Sequence, residues 1–126
     1  IEINQNGLKH PIYKNKKQKF NTPAFNFDEV VSLPEGSTLL SSNSINKVMG
    51  IYFNAGISNI WGIQYHPEIT YSKMIRLIHF RKDRLLAKRT FSGQSEIDSH
   101  VKMIEEENKI SNKDDRMREL ENWLNI

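Results

Sequence analysis

The sequence predicts an α/β fold in which short antiparallel strands come first and three helices follow. Three features carry that expectation. Runs rich in β-branched and aromatic residues, separated by turn residues, fill the stretch from Ser37 to Tyr65. After Pro67 the apolar period changes to that of helices. The helices need a sheet face to cover, and so few short strands supply little of it, so the chain reads as part of a larger α/β domain.

Residues 1–24 are polar and poorly periodic, and Lys14-Asn15-Lys16-Lys17-Gln18-Lys19 reads as a solvated basic loop. Leu33-Pro34-Glu35-Gly36 is turn chemistry, with Pro presetting φ and Gly closing the turn. Strands are expected at Ser37–Ser42, Lys47–Phe53 and Ile60–Tyr65, the last two joined as a hairpin by a six-residue loop, Asn54–Asn59. Met74, Ile75, Leu77, Ile78, Leu85 and Leu86 then predict one helix from about Tyr71 to about Lys88, capped by Thr70 or Ser72. Ile97, Val101 and Ile104 mark a second, shorter helix. Residues 108–114 read as a polar loop, and Met117, Leu120, Trp123 and Leu124 mark a last helix docked by one apolar stripe.

The 126 residues suit one domain or a large piece of one. The expected organisation is a single partial domain: residues 1–68 a loop and strand region, residues 69–126 a helical region. No apolar run approaches the ~20 residues of a membrane span, and no signal peptide is visible at Ile1-Glu2-Ile3-Asn4. A chain beginning without methionine is expected to be a fragment or a processed product. The absence of cysteine excludes disulfides, thiolate metal sites and an internal cysteine nucleophile, and fits a reducing, cytoplasmic setting. The net charge of +3 is ordinary for a protein that binds neither nucleic acid nor membrane.

One constellation carries chemistry. In Trp61-Gly62-Ile63-Gln64-Tyr65-His66-Pro67-Glu68, the proline holds His66 extended and stops the strand. Residues i and i+2 of an extended segment project to the same side, their Cα atoms about 6.6 Å apart. Glu68 can then accept from one ring nitrogen of His66 and leave the other free as a base, the logic of a catalytic triad. Strand ends are also where open α/β sheets place their sites. Against this stands the ordinary reading, in which a lone His near a strand end is a surface residue and Pro-Glu merely starts a helix.

The string resembles the Gly-x-Gln-[Phe/Tyr]-His-Pro-Glu motif of class I glutamine amidotransferases. Asp28-Glu29-Val30, Leu33-Pro34-Glu35-Gly36 and Leu39-Leu40-Ser41-Ser42 are similar to the segment that precedes the motif in the branch related to the glutaminase part of GMP synthase. Arg116 to Leu124 is similar to that branch's closing helix. The resemblance implies the C-terminal part of a flavodoxin-like α/β fold. It also implies hydrolysis of the glutamine side-chain amide by a Cys-His-Glu triad in which His66 is the base and Glu68 its orienting acid. The cysteine would come from an N-terminal half of the domain, so this chain alone is expected to be inactive. Ammonia would pass to a synthetase partner; no cofactor is implied. Asn26, Phe27 and Asp28 stand where relatives often have His-Gly-Asp, a loop whose backbone helps hold glutamine, so they are the candidate substrate-binding residues. Phe27 in place of glycine would narrow the pocket.

Other readings are weaker. A γ-glutamyl peptidase or hydrolase is the nearest rival, and a non-catalytic interaction module that kept the scaffold is the rival from another class. His10, His66, His79 and His100 show no metal-ligand spacing, so no metal is expected. Arg81-Lys82-Asp83-Arg84 and Lys88-Arg89 are diluted by acids such as Glu105-Glu106-Glu107, which favours a solvated helix over a nucleic-acid face. Ser41, Ser42 and Ser92 lack a Gly-x-Ser-x-Gly elbow.

Overall fold

The predicted hairpin lies at one edge of the sheet, and its turn is tighter than the sequence suggests. In the computed structural model, which describes residues 1–126, strand β3 (Gly50–Ala55) pairs with β4 (Ser58–Ile63) from Ala55↔Ser58 to Gly50↔Ile63. Only Gly56 and Ile57 join them, not the expected six residues. Gly56 takes φ 62° at the first turn position, which a two-residue turn of the II′ kind requires. The strands therefore run into residues expected to be loop.

β3 also pairs with β2 (Thr38–Ser42), and β2 with β1 (Glu2–Ile3), giving a four-stranded antiparallel sheet in the order β1-β2-β3-β4. The fold is α/β, with five α-helices and a short 3-10 turn beside the sheet. The N-terminal segment expected to be irregular instead forms β1, the short helix α1 (Gln5–Lys9) and the 3-10 turn Pro11–Tyr13. Asn4 caps α1 by accepting from Gly7 N at 2.8 Å, and its amide donates to Leu39 O at 2.8 Å. Composition hides this segment, because its order comes from a cap and from strand pairing rather than from apolar periodicity.

The chain divides into two compact units: Ile1–Pro67 together with Lys113–Ile126, and Glu68–Asn112. The first is built on the sheet. Its core is Ile3, Ile12, Tyr13, Leu40, Met49 and Tyr65, with Trp61 and Ile63 packed against it, as the alternation along β4 predicts. A register shift between Leu39 and Ser41 allows the consecutive Leu40 and Ser41 both to be buried.

The second unit is helical: α2 (Tyr71–Phe80), α3 (Lys82–Ala87) and α4 (Gln94–Ile110). Tyr71, Ile78, Ile97, Val101 and Ile104 form its core. Thr70 is the cap of α2, its hydroxyl accepting from Lys73 N at 3.2 Å. The single helix expected over 71–88 is interrupted at Arg81, which lies at φ −97°, ψ 8°. α4, expected to be the shorter helix, is the longest at 17 residues. It runs through most of the predicted 108–114 loop, leaving Ser111 and Asn112 before α5 (Lys113–Leu124). No helix is long and apolar enough to cross a membrane.

Candidate active site

His66 lies just past the end of β4, where the chain leaves the sheet under firm control. Gln64 N donates to Met49 O at 3.0 Å, and His66 N donates to Pro23 O at 2.8 Å. Between them Tyr65 turns into the core, where it is 2% exposed, and Pro67 is fully buried. The proline supplies no N–H, so the strand ladder stops there.

The His66 ring is half-buried, 6.2 Å from the Phe25 ring, with the planes tilted by 49°. His66 lines an open cleft of about 360 Å³ with Phe25, Asn26, Phe27, Asp28, Ile63 and Gln64. The structure therefore brings the 26–28 loop and the histidine to one depression within the first unit. Asn26 Nδ2 donates to Gln64 Oε1 at 3.2 Å, tying the loop to the strand end. Phe27 is 55% exposed. Glu68 is an exposed residue and the first of the second unit.

Under the histidine lies a polar network that the sequence did not disclose. Tyr65 OH lies 2.8 Å from Glu119 Oε1 and 3.1 Å from Tyr13 OH, and Tyr13 OH lies 2.8 Å from Ser41 Oγ. Each hydroxyl has one proton. The carboxylate is the stronger and nearer acceptor for Tyr65, so Tyr13 donates to Tyr65 and Ser41 to Tyr13. The other carboxylate oxygen of Glu119 accepts from Lys16 Nζ at 2.8 Å, and that ammonium also donates to Asp115 O. The side chains of Lys16 and Glu119 are 4% and 1% exposed.

Burial pulls the Lys16 ammonium below the usual lysine range, and Glu119 opposes that pull. Burial, with the nearby Tyr13 and the Glu119 charge, pushes the Tyr65 phenol far above its ordinary value, so it stays protonated. Gly50 leaves room for the chain of hydroxyls: a Cβ there would stand 2.5 Å from both Ser41 Oγ and Tyr13 OH.

α5 thus docks differently from the expected stripe. Trp123 and Leu124 are 52% and 74% exposed, while Glu119 is buried. Arg116 donates to Pro67 O, and Asn122 Nδ2 donates to Ile12 O at 2.8 Å and Lys14 O at 2.9 Å. Lys16, expected in a solvated loop, is the buried partner of Glu119. The signal available in the sequence is a charged residue at 119 with apolar neighbours at 117 and 120, though its partner more than a hundred residues away is not readable there.

No protein-family model matches the chain, and no solved structure matches it. Relatives include γ-glutamyl-L-1-hydroxyisopropylamide hydrolase of a Pseudomonas species, 33% identical over 70 residues, which is 56% of this chain and 23% of that protein. Another is the glutamine-hydrolyzing subunit of GMP synthase from Methanocaldococcus jannaschii, 32% identical over 62 residues, or 49% of this chain and 32% of the relative. The chain is a distant partial relative of class I glutamine amidotransferase-like proteins. It matches about a quarter to a third of the length of these relatives.

Proposed function

We propose that this chain supplies the base, its orienting acid and one wall of the substrate cleft to an enzyme that hydrolyses a γ-glutamyl amide, glutamine included. The observation that carries the reading is the position of His66. It stands at a strand end on an open cleft, beside the 26–28 loop, within the string Gly62 to Glu68. The two relatives, each named for an amide-hydrolysing activity, support the same class.

In this reading a cysteine from a stretch of polypeptide outside these residues is the nucleophile, since the chain has none. The share of the relatives that the chain matches supports a larger catalytic domain of flavodoxin-like fold, with these residues its C-terminal part. His66 takes the thiol proton as sulfur attacks the amide carbon, then gives that proton to the departing nitrogen. The γ-glutamyl thioester is next attacked by water, whose proton His66 removes, and glutamate leaves as the thiol re-forms. Glu68, two positions on, holds the tautomer and stabilises the imidazolium. Asn26, Phe27 and Asp28 hold the glutamyl group, chiefly through their backbone. A synthetase partner that accepts ammonia, in the cytoplasm, completes the amidotransferase form of the reading.

A second form has a substituted amide as substrate, with an amine rather than ammonia released. What favours it is the apolar lining of the cleft by Phe25, Phe27 and Ile63. A nitrogen within reach of His66 would place its substituent against those side chains.

The test is glutamate release from glutamine and from an N-alkyl γ-glutamyl amide by the full-length enzyme. His66→Ala is expected to lower turnover by about 10² to 10⁴, the range for loss of a general base. Unchanged rates in that variant, or turnover by the isolated 126-residue chain, would overturn the assignment.

A further inference from the structure

Four successive residues, Gln64 to Pro67, are each fixed by a hydrogen bond to a distant part of the chain. Gln64 N is held by Met49 O, Tyr65 OH by Glu119, His66 N by Pro23 O and the Pro67 carbonyl by Arg116. Two of these four anchors, Arg116 and Glu119, are one turn apart on α5. They grip the residues immediately before and after the histidine.

We propose that α5 is a positioning element for His66, with Glu119 acting through Tyr65 and Arg116 acting through Pro67; this rests on the reading of His66 as the catalytic base. The helix fixes the backbone on both sides of the imidazole, so the direction of the side chain follows from where α5 sits. Positional errors of about 1 Å at a reacting group can cost a hundredfold in rate.

The chemistry of the anchor supports a geometric role. A buried ion pair is a poor source of stability compared with well-packed apolar side chains of the same volume. Yet Lys16 and Glu119 are buried, while Trp123 and Leu124 on the same helix are left largely exposed. What the pair supplies is direction. Lys16 keeps Glu119 charged, the charged carboxylate fixes the proton of Tyr65, and the row from Ser41 through Tyr13 has one consistent donor order. An apolar contact would not set the rotation of Tyr65 in this way.

The test reads the imidazole itself, in the 126-residue chain, by an NMR pH titration of the His66 ring. Two variants are compared with the parent, Tyr65→Phe and Glu119→Gln, with far-UV circular dichroism as the check on folding. Tyr65→Phe removes a single oxygen and keeps the ring in the core, so it carries the test if Glu119→Gln fails to fold. The expected result is a moved His66 resonance and titration midpoint, with His79 and His100 in the helical unit unchanged. A His66 titration that superimposes on the parent curve in a folded Tyr65→Phe protein overturns the proposal.

In the full-length enzyme, Tyr65→Phe is expected to lower kcat about tenfold with KM nearly unchanged, the sign of an interaction felt at the transition state. A role in stability alone would lower the melting temperature and leave kcat per folded molecule as it was, which would also overturn the proposal. If His66→Ala has no effect on turnover while the ring titration still responds to Tyr65→Phe, the assigned function fails and the mechanical coupling of α5 to residue 66 stands.

Discussion

The two units of this chain are held together by different kinds of information. The helical unit, Glu68–Asn112, has a core of Tyr71, Ile78, Ile97, Val101 and Ile104. Its capping interactions are local: Thr70 accepts from Lys73 N, and the Ser92 backbone and hydroxyl both bond Glu96. The sheet unit also has an apolar core, but it adds a buried row of polar groups whose members come from residues 13, 16, 41, 65 and 119. A local apolar stripe tolerates substitution by anything of similar volume. A buried polar row does not, because each member left unmatched carries its full desolvation cost.

The difference can be broken most directly at Glu119. Glu119→Ala strands the Lys16 ammonium in a buried site and is expected to destabilise the sheet unit by about 3–5 kcal/mol. Urea unfolding, followed by Trp61 and Trp123 fluorescence, measures it. A loss no larger than that of an exposed ion pair would mean that the two units are held in the same way.

The matching change in the helical unit is Ile97→Ala, at a residue with 0% exposure. It is expected to cost about 3 kcal/mol, from lost transfer energy and the cavity left behind. Chemical denaturation monitored by the helical circular dichroism signal reads it. Ile97→Leu should recover most of that loss, whereas Glu119→Gln should recover less of the Glu119→Ala loss because Gln carries no charge to meet Lys16.

The smallest expected effect concerns pH and belongs to the sheet unit. His10 Nε2 accepts from Trp61 Nε1 at 3.0 Å, and Nδ1 faces Ile12 N at 3.3 Å. A protonated ring has no acceptor nitrogen, so charging His10 forfeits both. Burial holds its pKa below the ordinary value of 6.5. As pH falls, the unfolded chain therefore takes up the proton first, and stability declines from about pH 6.5 down through the folded-state pKa, with no further loss below it. Melting temperature against pH should show this slope in the parent and a smaller one in His10→Gln. Equal slopes would remove His10 from the account.

What the sequence discloses follows the same division. The helical unit is legible because periodicity is a local signal: Ile97, Val101 and Ile104 announce their shared face. Its errors are errors of boundary. The break at Arg81 is a backbone feature that the apolar pattern runs straight across, and α4 continues past Asn108 because nothing there stops a helix.

In the sheet unit, β4 and its inward side chains Trp61, Ile63 and Tyr65 are readable from alternation. The N-terminal elements are not, since Asn4, Gly7 and His10 act through caps and close approach. Of the site, His66 and the 26–28 loop can be named from a string and from its neighbours. Lys16 and Glu119 cannot, because separately each looks like a solvated charge and only their pairing makes them buried.

The attachment of α5 to the first residues has a consequence for synthesis. Asn122 bonds Ile12 and Lys14, and Glu119 bonds Lys16, across gaps of 110, 108 and 103 residues. A ribosome delivers residues in order, so Glu68–Asn112 can settle into its helices while the sheet still waits for its last partner. Until residues 113–126 emerge, Lys16 and Tyr65 have no carboxylate to meet. Such late, sequence-distant closure slows assembly and leaves the sheet open to misassociation in the interval. A nascent chain stalled or cut short before Glu119 would therefore carry its histidine motif complete in sequence but without the helix that grips it.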